Sequence, residues 1–249
     1  LIDIKDPREQ YSAGEFVRRA RRAIAEIEER GALPLVVGGS GLYVRSLLEG
    51  ISPLPQSDPE IRERLAARLE TEGLARLRHE LSAADPNTEA RLAPGDTQRV
   101  RRAREVAQAT GWALSAWIAE RPRGEKVLNS VRIGLTLARP ILYDRIEHRV
   151  ARMVEAGWVA EVDSLLRLGL ETSVPAFTAI GYRQIARHVL GEWSLEEAVQ
   201  ETIGATRRFA KRQATWFRRE SDVHWFQAPA IENDPTPVVE LLRVRTGGG

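Results

Sequence analysis

The stretch Leu33-Pro34-Leu35-Val36-Val37-Gly38-Gly39-Ser40-Gly41-Leu42-Tyr43 decides the fold class. Its short apolar run, ending in two valines, predicts a buried strand over 33–37. Four small residues then make a turn, and Leu42, Tyr43, Leu47 and Leu48 recur beyond it at helical spacing. Upstream, Ser12 with Glu15 three residues on forms a capping box. It opens an amphipathic helix carrying Phe16, Val17, Ala20, Ile24 and Ile27, which Gly31 ends. Helix, strand, glycine turn, helix is the grammar of a parallel α/β domain.

Further along the chain the texture changes. Pro53, Pro55, Pro59, Pro86, Pro94 and Pro122 punctuate charged helical stretches in which no strand pattern occurs. This predicts an all-helical insertion over 55–124 within an α/β core made of 1–54 and 125–249. The core resumes with Val131, Ile133, Leu135 and Leu137, a strand of period two that Arg139-Pro140 closes before a helix over 141–156. Further helices are predicted over 161–168 and 183–190. A second capping box, Ser194 with Glu197, opens a helix of about 25 residues ending near Glu220. No internal repeat occurs, and the terminal glycines are the only low-complexity segment.

With 249 residues, 43% apolar and 29% charged, the chain can bury a core, which argues against a disordered chain or a disulfide-stapled miniprotein. No apolar run approaches the roughly 20 residues of a membrane helix, and no basic segment followed by an apolar run opens the chain. A cytoplasmic protein with no membrane partner is expected. The absence of cysteine excludes disulfides, thiolate nucleophiles and cysteine-ligated zinc. Only His79, His148, His188 and His224 could serve a histidine metal site, and they are scattered. The single methionine is Met153, so an upstream segment outside this numbering is expected. Of 37 basic residues only Lys5, Lys126 and Lys211 are lysines. Planar guanidiniums suit phosphate and base recognition, whereas a GC-rich genome also enriches arginine, so local clustering has to decide.

Four constellations carry candidate chemistry. The turn Gly38-Gly39-Ser40-Gly41, between strand and helix, is either a plain tight turn or an anion contact at a positive helix end. No G-x-x-x-x-G-K-[ST] motif occurs, so the chain carries no phosphate loop of its own. On the helix after Pro140, Leu142, Ile146, Val150 and Met153 form an apolar stripe, and Arg149 falls about 55° from its centre. An arginine so placed needs an anion, either a core carboxylate or a substrate phosphate. The long C-terminal helix carries Arg207, Arg208, Lys211, Arg212, Arg218 and Arg219 with no acid between Glu201 and Glu220. Gln213, Thr215, Trp216 and Phe217 add hydrogen bonding and stacking surface, the combination of an RNA-facing surface, although a solvated basic face has the same charges. A smaller cluster, Gln98, Arg99, Arg101, Arg102 and Arg104, lies in the insertion, and the two patches together suggest a clamp.

Six motifs, in order, resemble the tRNA dimethylallyltransferase (tRNA isopentenyltransferase) family. They are Val37-Gly38-Gly39-Ser40-Gly41-Leu42-Tyr43, Asp58-Pro59-Glu60-Ile61-Arg62, and the run Gln98-Arg99-Val100-Arg101-Arg102-Ala103-Arg104-Glu105-Val106. Then come Leu142-Tyr143-Asp144-Arg145-Ile146-Glu147-His148-Arg149-Val150, Ala179-Ile180-Gly181-Tyr182-Arg183 and Ala210-Lys211-Arg212-Gln213-Ala214-Thr215-Trp216-Phe217-Arg218. The resemblance covers almost the whole chain, to about Phe226. It implies a P-loop-type parallel-sheet core, its N-terminal part missing here, and a helical insertion that grips the tRNA anticodon stem-loop. It also implies transfer of a dimethylallyl group from dimethylallyl diphosphate to N6 of the adenosine 3′ of the anticodon, with Mg2+ on the diphosphate, by a monomer.

Carried over residue by residue, the resemblance makes Arg149 the arginine that stabilises the diphosphate. Ser40 stands where the family usually has threonine, at the channel where tRNA and donor meet. It implies tRNA contacts at Ser40, Arg62, Gln98, Arg99, Val100, Arg101 and Arg102. Further implied contacts are Thr178, Ala179, Ile180, Gly181, Tyr182 and Arg183, and Lys211, Arg212, Gln213, Ala214, Thr215, Trp216, Phe217 and Arg218. Leu1-Ile2-Asp3-Ile4-Lys5-Asp6-Pro7 resembles a point about a quarter of the way into the family pattern, which implies that the phosphate loop and an aspartate general base lie upstream. This chain alone is then expected to be inactive. Two rivals remain: an adenylate isopentenyltransferase acting on free nucleotide, which gives the insertion and basic helix nothing to hold, and an RNA-binding module without catalysis.

Overall fold

The computed structural model describes residues 1–52, 54–55, 58–121 and 128–246, with side chains to residue 244. The chain divides into two units, Leu1–Val44 with Leu128–Gly249, and Arg45–Val127. The expected boundary at 124–125, Pro53, Pro122 and the terminal glycines 247–249 lie outside the described residues.

Local capping fixes the first helix. The Ser12 hydroxyl accepts from the Glu15 amide at 3.1 Å and starts α1 (Ala13–Glu28), whose Val17, Ala20 and Ile24 are buried. Gly31, at φ 68°, lies in the left-handed region just past its end. Next comes α2 (Gly41–Glu49). Tyr43 on α2 stacks on Phe16 at 4.8 Å between ring centroids and donates its hydroxyl to Tyr11 O at 3.0 Å, tying the two helices together.

Residues 33–37 do not form the expected strand. A strand exists only as part of a hydrogen-bonded ladder, and the sheet of the described residues contains other segments alone. The run carries no regular secondary structure and lies open, with Leu35 74% and Val37 84% exposed. Apolar periodicity states which surface a segment tends to bury; it does not supply the neighbour.

The second unit, Arg45–Val127, is helical throughout its described residues: α3 (Pro59–Ala84), α4 (Pro86–Glu89), α5 (Thr97–Thr110) and α6 (Leu114–Glu120). Asp58 caps α3 by accepting from the Glu60 and Ile61 amides. The helix bends at Gly73, whose φ of 78° no other residue adopts cheaply. Arg68 bridges the bend, donating to Glu72 on one side and Glu80 on the other at 2.6 and 2.7 Å. Leu77, Leu81, Val100 and Ala103 form a core between α3 and α5, each worth roughly 1 to 3 kcal/mol of burial according to size. Asp85, 2% exposed, accepts from the amides and hydroxyls of both Thr88 and Ser115 at 2.6 to 3.0 Å, pinning α4 and α6.

After residue 128 the first unit continues with β1 (Arg132–Thr136), α7 (Arg139–Glu155), α8 (Trp158–Arg167), a 3-10 turn at Pro175–Thr178, α9 (Tyr182–Val189), α10 (Leu195–Phe217), β2 (Val223–Gln227), α11 (Ala228–Asn233) and α12 (Thr236–Thr246). The period-two strand is therefore present. Its partner β2, which sequence reasoning missed, runs parallel to it in register from Arg132 opposite Val223 to Thr136 opposite Gln227. Gly134 faces Trp225, and a Cβ there would stand 2.6 Å from the indole, so glycine lets the ring lie over the strand. Ile146, Val150, Trp158, Val162, Phe177, Ile185, Ala198 and Ile203 make the core that joins α7 to α10. The second capping box is present, with reciprocal bonds between Ser194 and Glu197 at the start of α10. The fold is thus a helix-rich α/β arrangement with a small parallel sheet.

Candidate functional site

The glycine turn and the basic helix, separate constellations in the sequence, meet in the first unit. Gln213 donates its Nε2 to Gly39 O at 2.9 Å. A Cβ at Gly39 would overlap the Gln213 amide, and one at Gly41 would overlap the Trp216 indole. Small residues are needed here for the close approach of α10 side chains. The turn ends at Ser40, whose carbonyl accepts the first helical bond of α2 from Val44 at 3.0 Å and whose side chain is exposed. An exposed hydroxyl is thus held at a helix start, beside Gln213 and Trp216.

On α10, Gln213 and Trp216 are three residues apart and serve the turn. Lys211, Thr215 and Arg218, four and then three residues apart, share a different face. Not all of the basic run is free. Arg207 pairs with Glu147 of α7 and lies over the Tyr143 ring, and Arg208 pairs with Glu201 seven residues back on the same helix at 3.6 Å. Lys211, Arg212, Arg218 and Arg219 are exposed and meet no carboxylate among the described residues. Arg212 lies over Phe209 at 5.7 Å, and the Thr215 hydroxyl is spent on Lys211 O. Ala214 is exposed and Phe217 half-buried. Four such cations, two on α10 and two at and just past its end, make a field that attracts phosphate.

Arg149, on α7, is exposed and has neither a hydrogen bond nor an ion pair among the described residues. The core carboxylate that its place beside the apolar stripe called for is absent there. Its neighbour Arg145 instead holds Glu232 of α11 through two bonds, at 2.6 and 2.8 Å.

The segment 178–183 follows the 3-10 turn. Thr178, Ala179, Ile180 and Arg183 are exposed, and Arg183 has no carboxylate partner among the described residues. Gly181 is buried, and the Tyr182 hydroxyl already donates to Glu161 at 2.6 Å.

In the second unit the expected patch is largely compensated. Arg101 and Arg102 flank Glu105, buried at 5% exposure, at 3.6 and 3.0 Å, and Arg102 also donates to Pro55 O. Arg104 pairs with Glu80, and Arg99 with Asp96 at 3.4 Å. A window along the sequence shows no acid among these arginines because their partners come from a neighbouring helix and from the two ends of the run. Val100 is fully buried in the core, so its side chain cannot touch RNA, a correction to its place in the expected contact set. Gln98 is exposed and Arg62 half-buried at the start of α3.

Residues 1–220 match the sequence pattern of the IPP transferase family. The chain belongs to the IPP transferase family. Among similar proteins, tRNA dimethylallyltransferase 1 of Trichlorobacter lovleyi is 44% identical over 236 residues, covering 95% of this chain and 77% of its own length. The full-length tRNA isopentenylpyrophosphate transferase of Bacillus halodurans superposes with a TM-score of 0.64 at 35% identity, over 99% of this chain and 79% of that one. A eukaryotic dimethylallyltransferase captured acting on tRNA shares the fold at a TM-score of 0.74 and 22% identity, over 94% of this chain and 62% of that one. Within this IPP transferase the exposed cations Arg149, Arg183, Lys211, Arg212, Arg218 and Arg219 of the first unit meet no carboxylate among the described residues.

Proposed function

We propose that the chain serves a tRNA dimethylallyltransferase, which moves a dimethylallyl group from dimethylallyl diphosphate to N6 of the adenosine 3′ of the anticodon. The bond from N6 to the allylic carbon forms as the carbon–oxygen bond to diphosphate breaks. The amine gives up a proton, and diphosphate leaves with the bonding pair. The observation that carries this reading is the contact of the Ser40 turn with α10, which holds an exposed hydroxyl at the start of α2 against the helix that bears Lys211 and Arg212 and leads into Arg218 and Arg219. The names of the similar proteins support tRNA as the acceptor.

An exocyclic amine is a poor nucleophile, so the chain's task is positioning and charge stabilisation. Lys211, Arg212 and Arg218 hold RNA phosphates, and Gln213 and Ser40 line the place where adenosine meets donor. Arg149, free of any protein carboxylate among the described residues, takes the developing charge on the diphosphate. Arg62, Gln98 and Arg99 are the insertion's exposed or half-exposed groups for the anticodon stem-loop. The phosphate loop and the aspartate base are placed upstream of this numbering. The open apolar surface of 33–37, Leu135 and Trp225 supports this, since it is what a larger parallel sheet would cover. We place Mg2+ on the donor diphosphate; among the described residues no three His, Asp or Glu side chains gather to hold it by themselves, and no step is routed through it. We place the activity in the cytosol, where tRNA resides; no described helix is long and apolar enough to cross a membrane.

The test compares this chain with the full-length protein, using labelled donor and either substrate tRNA or free adenosine monophosphate. The full-length protein should label tRNA alone, and this chain should bind tRNA without labelling it. Labelling of the mononucleotide instead would select the adenylate isopentenyltransferase reading. Transfer by the 249-residue chain would refute the upstream placement of base and phosphate loop.

A further inference from the structure

We infer that Trp158 and Glu161, on α8, are positioning residues that hold the segment 178–183 in the shape it presents to RNA. The inference rests on the tRNA reading above. The segment shows an exposed front and a tightly anchored back. Thr178, Ala179, Ile180 and Arg183 face solvent. Behind them the backbone at Gly181 adopts φ 97° and lies so close to the six-membered ring of Trp158 that a Cβ would overlap it. That indole is itself fixed, 4% exposed within the core of α7 to α10. Tyr182 packs edge-on against the same ring, with centroids 5.8 Å apart and planes at 77°, and its hydroxyl donates to Glu161 Oε1 at 2.6 Å. The Gly181 amide donates to Gln184 Oε1 at 2.9 Å, and the Thr178 hydroxyl donates to Pro175 O at 2.6 Å.

These contacts change the role of Tyr182. Its hydroxyl is committed to a carboxylate, and burial together with that bond pushes its titration up to about 12, so it stays protonated and donating throughout the working range. Tyr182 anchors the segment from behind, and the groups left to meet RNA are Ile180, the neighbouring backbone and Arg183. A loop ordered before binding loses less conformational entropy when the ligand arrives. Neither Trp158 nor Glu161 needs to reach the RNA for its loss to weaken binding.

The experiment measures the affinity of an anticodon stem-loop RNA for the chain by fluorescence anisotropy, well below the melting temperature of each variant. Tyr182→Phe and Glu161→Ala should each raise Kd by roughly three- to tenfold. Glu161→Gln, whose amide oxygen still accepts the tyrosine bond, should stay near wild type. Trp158→Phe, which withdraws the ring edge from beneath Gly181, should fall with the weakened group. In the Arg183→Ala background, Tyr182→Phe should cost clearly less than it does alone, because the cation it positions is gone. A lower melting temperature with unchanged Kd, or full additivity with Arg183→Ala, would overturn the positioning role while leaving the tRNA reading intact. Failure of the wild-type chain to bind the RNA would overturn the tRNA reading and this inference with it.

Discussion

Replacing Lys211, Arg212 and Arg218 together with alanine should flatten the salt dependence of RNA binding. Each phosphate neutralised by a cation releases counterions and adds about −0.7 (single strand) to −0.9 (duplex) to the slope of log affinity against log salt. Three such contacts amount to roughly two units of slope. The structure says which cations to count. Lys211, Arg212 and Arg218 face no carboxylate among the described residues, so RNA phosphate is their first strong partner. Arg207 and Arg208 already pair with Glu147 and Glu201, and replacing those two should change the slope by less than about one unit. Gln213→Ala is the neutral control: it removes the 2.9 Å bond to Gly39 O and should change affinity without changing the slope. Titrations of tRNA at a series of salt concentrations check all three. Superimposable curves for the triple variant and wild type would mean that α10 is a solvated basic face, and the RNA assignment of this helix would fail.

In the full-length enzyme Arg149→Ala should slow transfer by about 10²- to 10³-fold, the usual cost of losing a positioned charge at a leaving group, with tRNA affinity unchanged; single-turnover labelling measures it. Gly41→Ala separates two effects of opposite sign. Helix propensity alone would stabilise by about 1 kcal/mol, whereas displacing the Trp216 indole should destabilise by about 1 to 3 kcal/mol, and a lowered urea midpoint is the expected result. Asp85→Ala strands two amides and two hydroxyls in an enclosed site and should cost about 2 to 4 kcal/mol by the same measurement. Burial pushes the Asp85 carboxyl up, but the bonds from Ser115 and Thr88 outweigh it and hold it below the ordinary carboxylate range. Its stabilisation is therefore complete above the unfolded value and is lost as pH falls through the lowered folded value; Asp85→Asn should remove that acid dependence from the urea midpoint.

What was legible in the sequence is what short-range chemistry decides. Ser12 with Glu15 and Ser194 with Glu197 mark the starts of α1 and α10 because a cap and its partner are three residues apart. The strand at 132–136 was legible because alternation persists whatever its neighbour is. The run 33–37 was misread because its pattern is a strand's while its ladder is not in the described residues, and β2 was passed over because the adjacent Trp225 and Phe226 break the alternation of period two. Val, Trp and Phe just after Asp222, which adopts φ 59°, were the signal that marked it. Charge was the least legible property: Arg104 is answered by Glu80, 24 positions away, and the apparent patch on α5 is largely consumed by the fold. Motif membership also says nothing about which way a side chain points, and so Val100 sat among expected contacts while forming the core.

The glycine turn shows how a sequence signal keeps its position while its physical reason changes. Small residues before a helix read either as a tight turn, which needs no approaching group, or as room for an anion from outside the protein. Here the close approach at Gly39 and Gly41 is made by Gln213 and Trp216 from within. The consequence is mechanical. Ser40 stands between two glycines that α10 holds in place, so any shift of α10 reaches the turn through one amide bond and one indole face. A turn with side chains at 39 or 41 would stand off from the helix, and Ser40 would no longer be registered to Gln213 and Trp216. Glycine at these positions thus couples α10 to the start of α2, and it does so by what it leaves out.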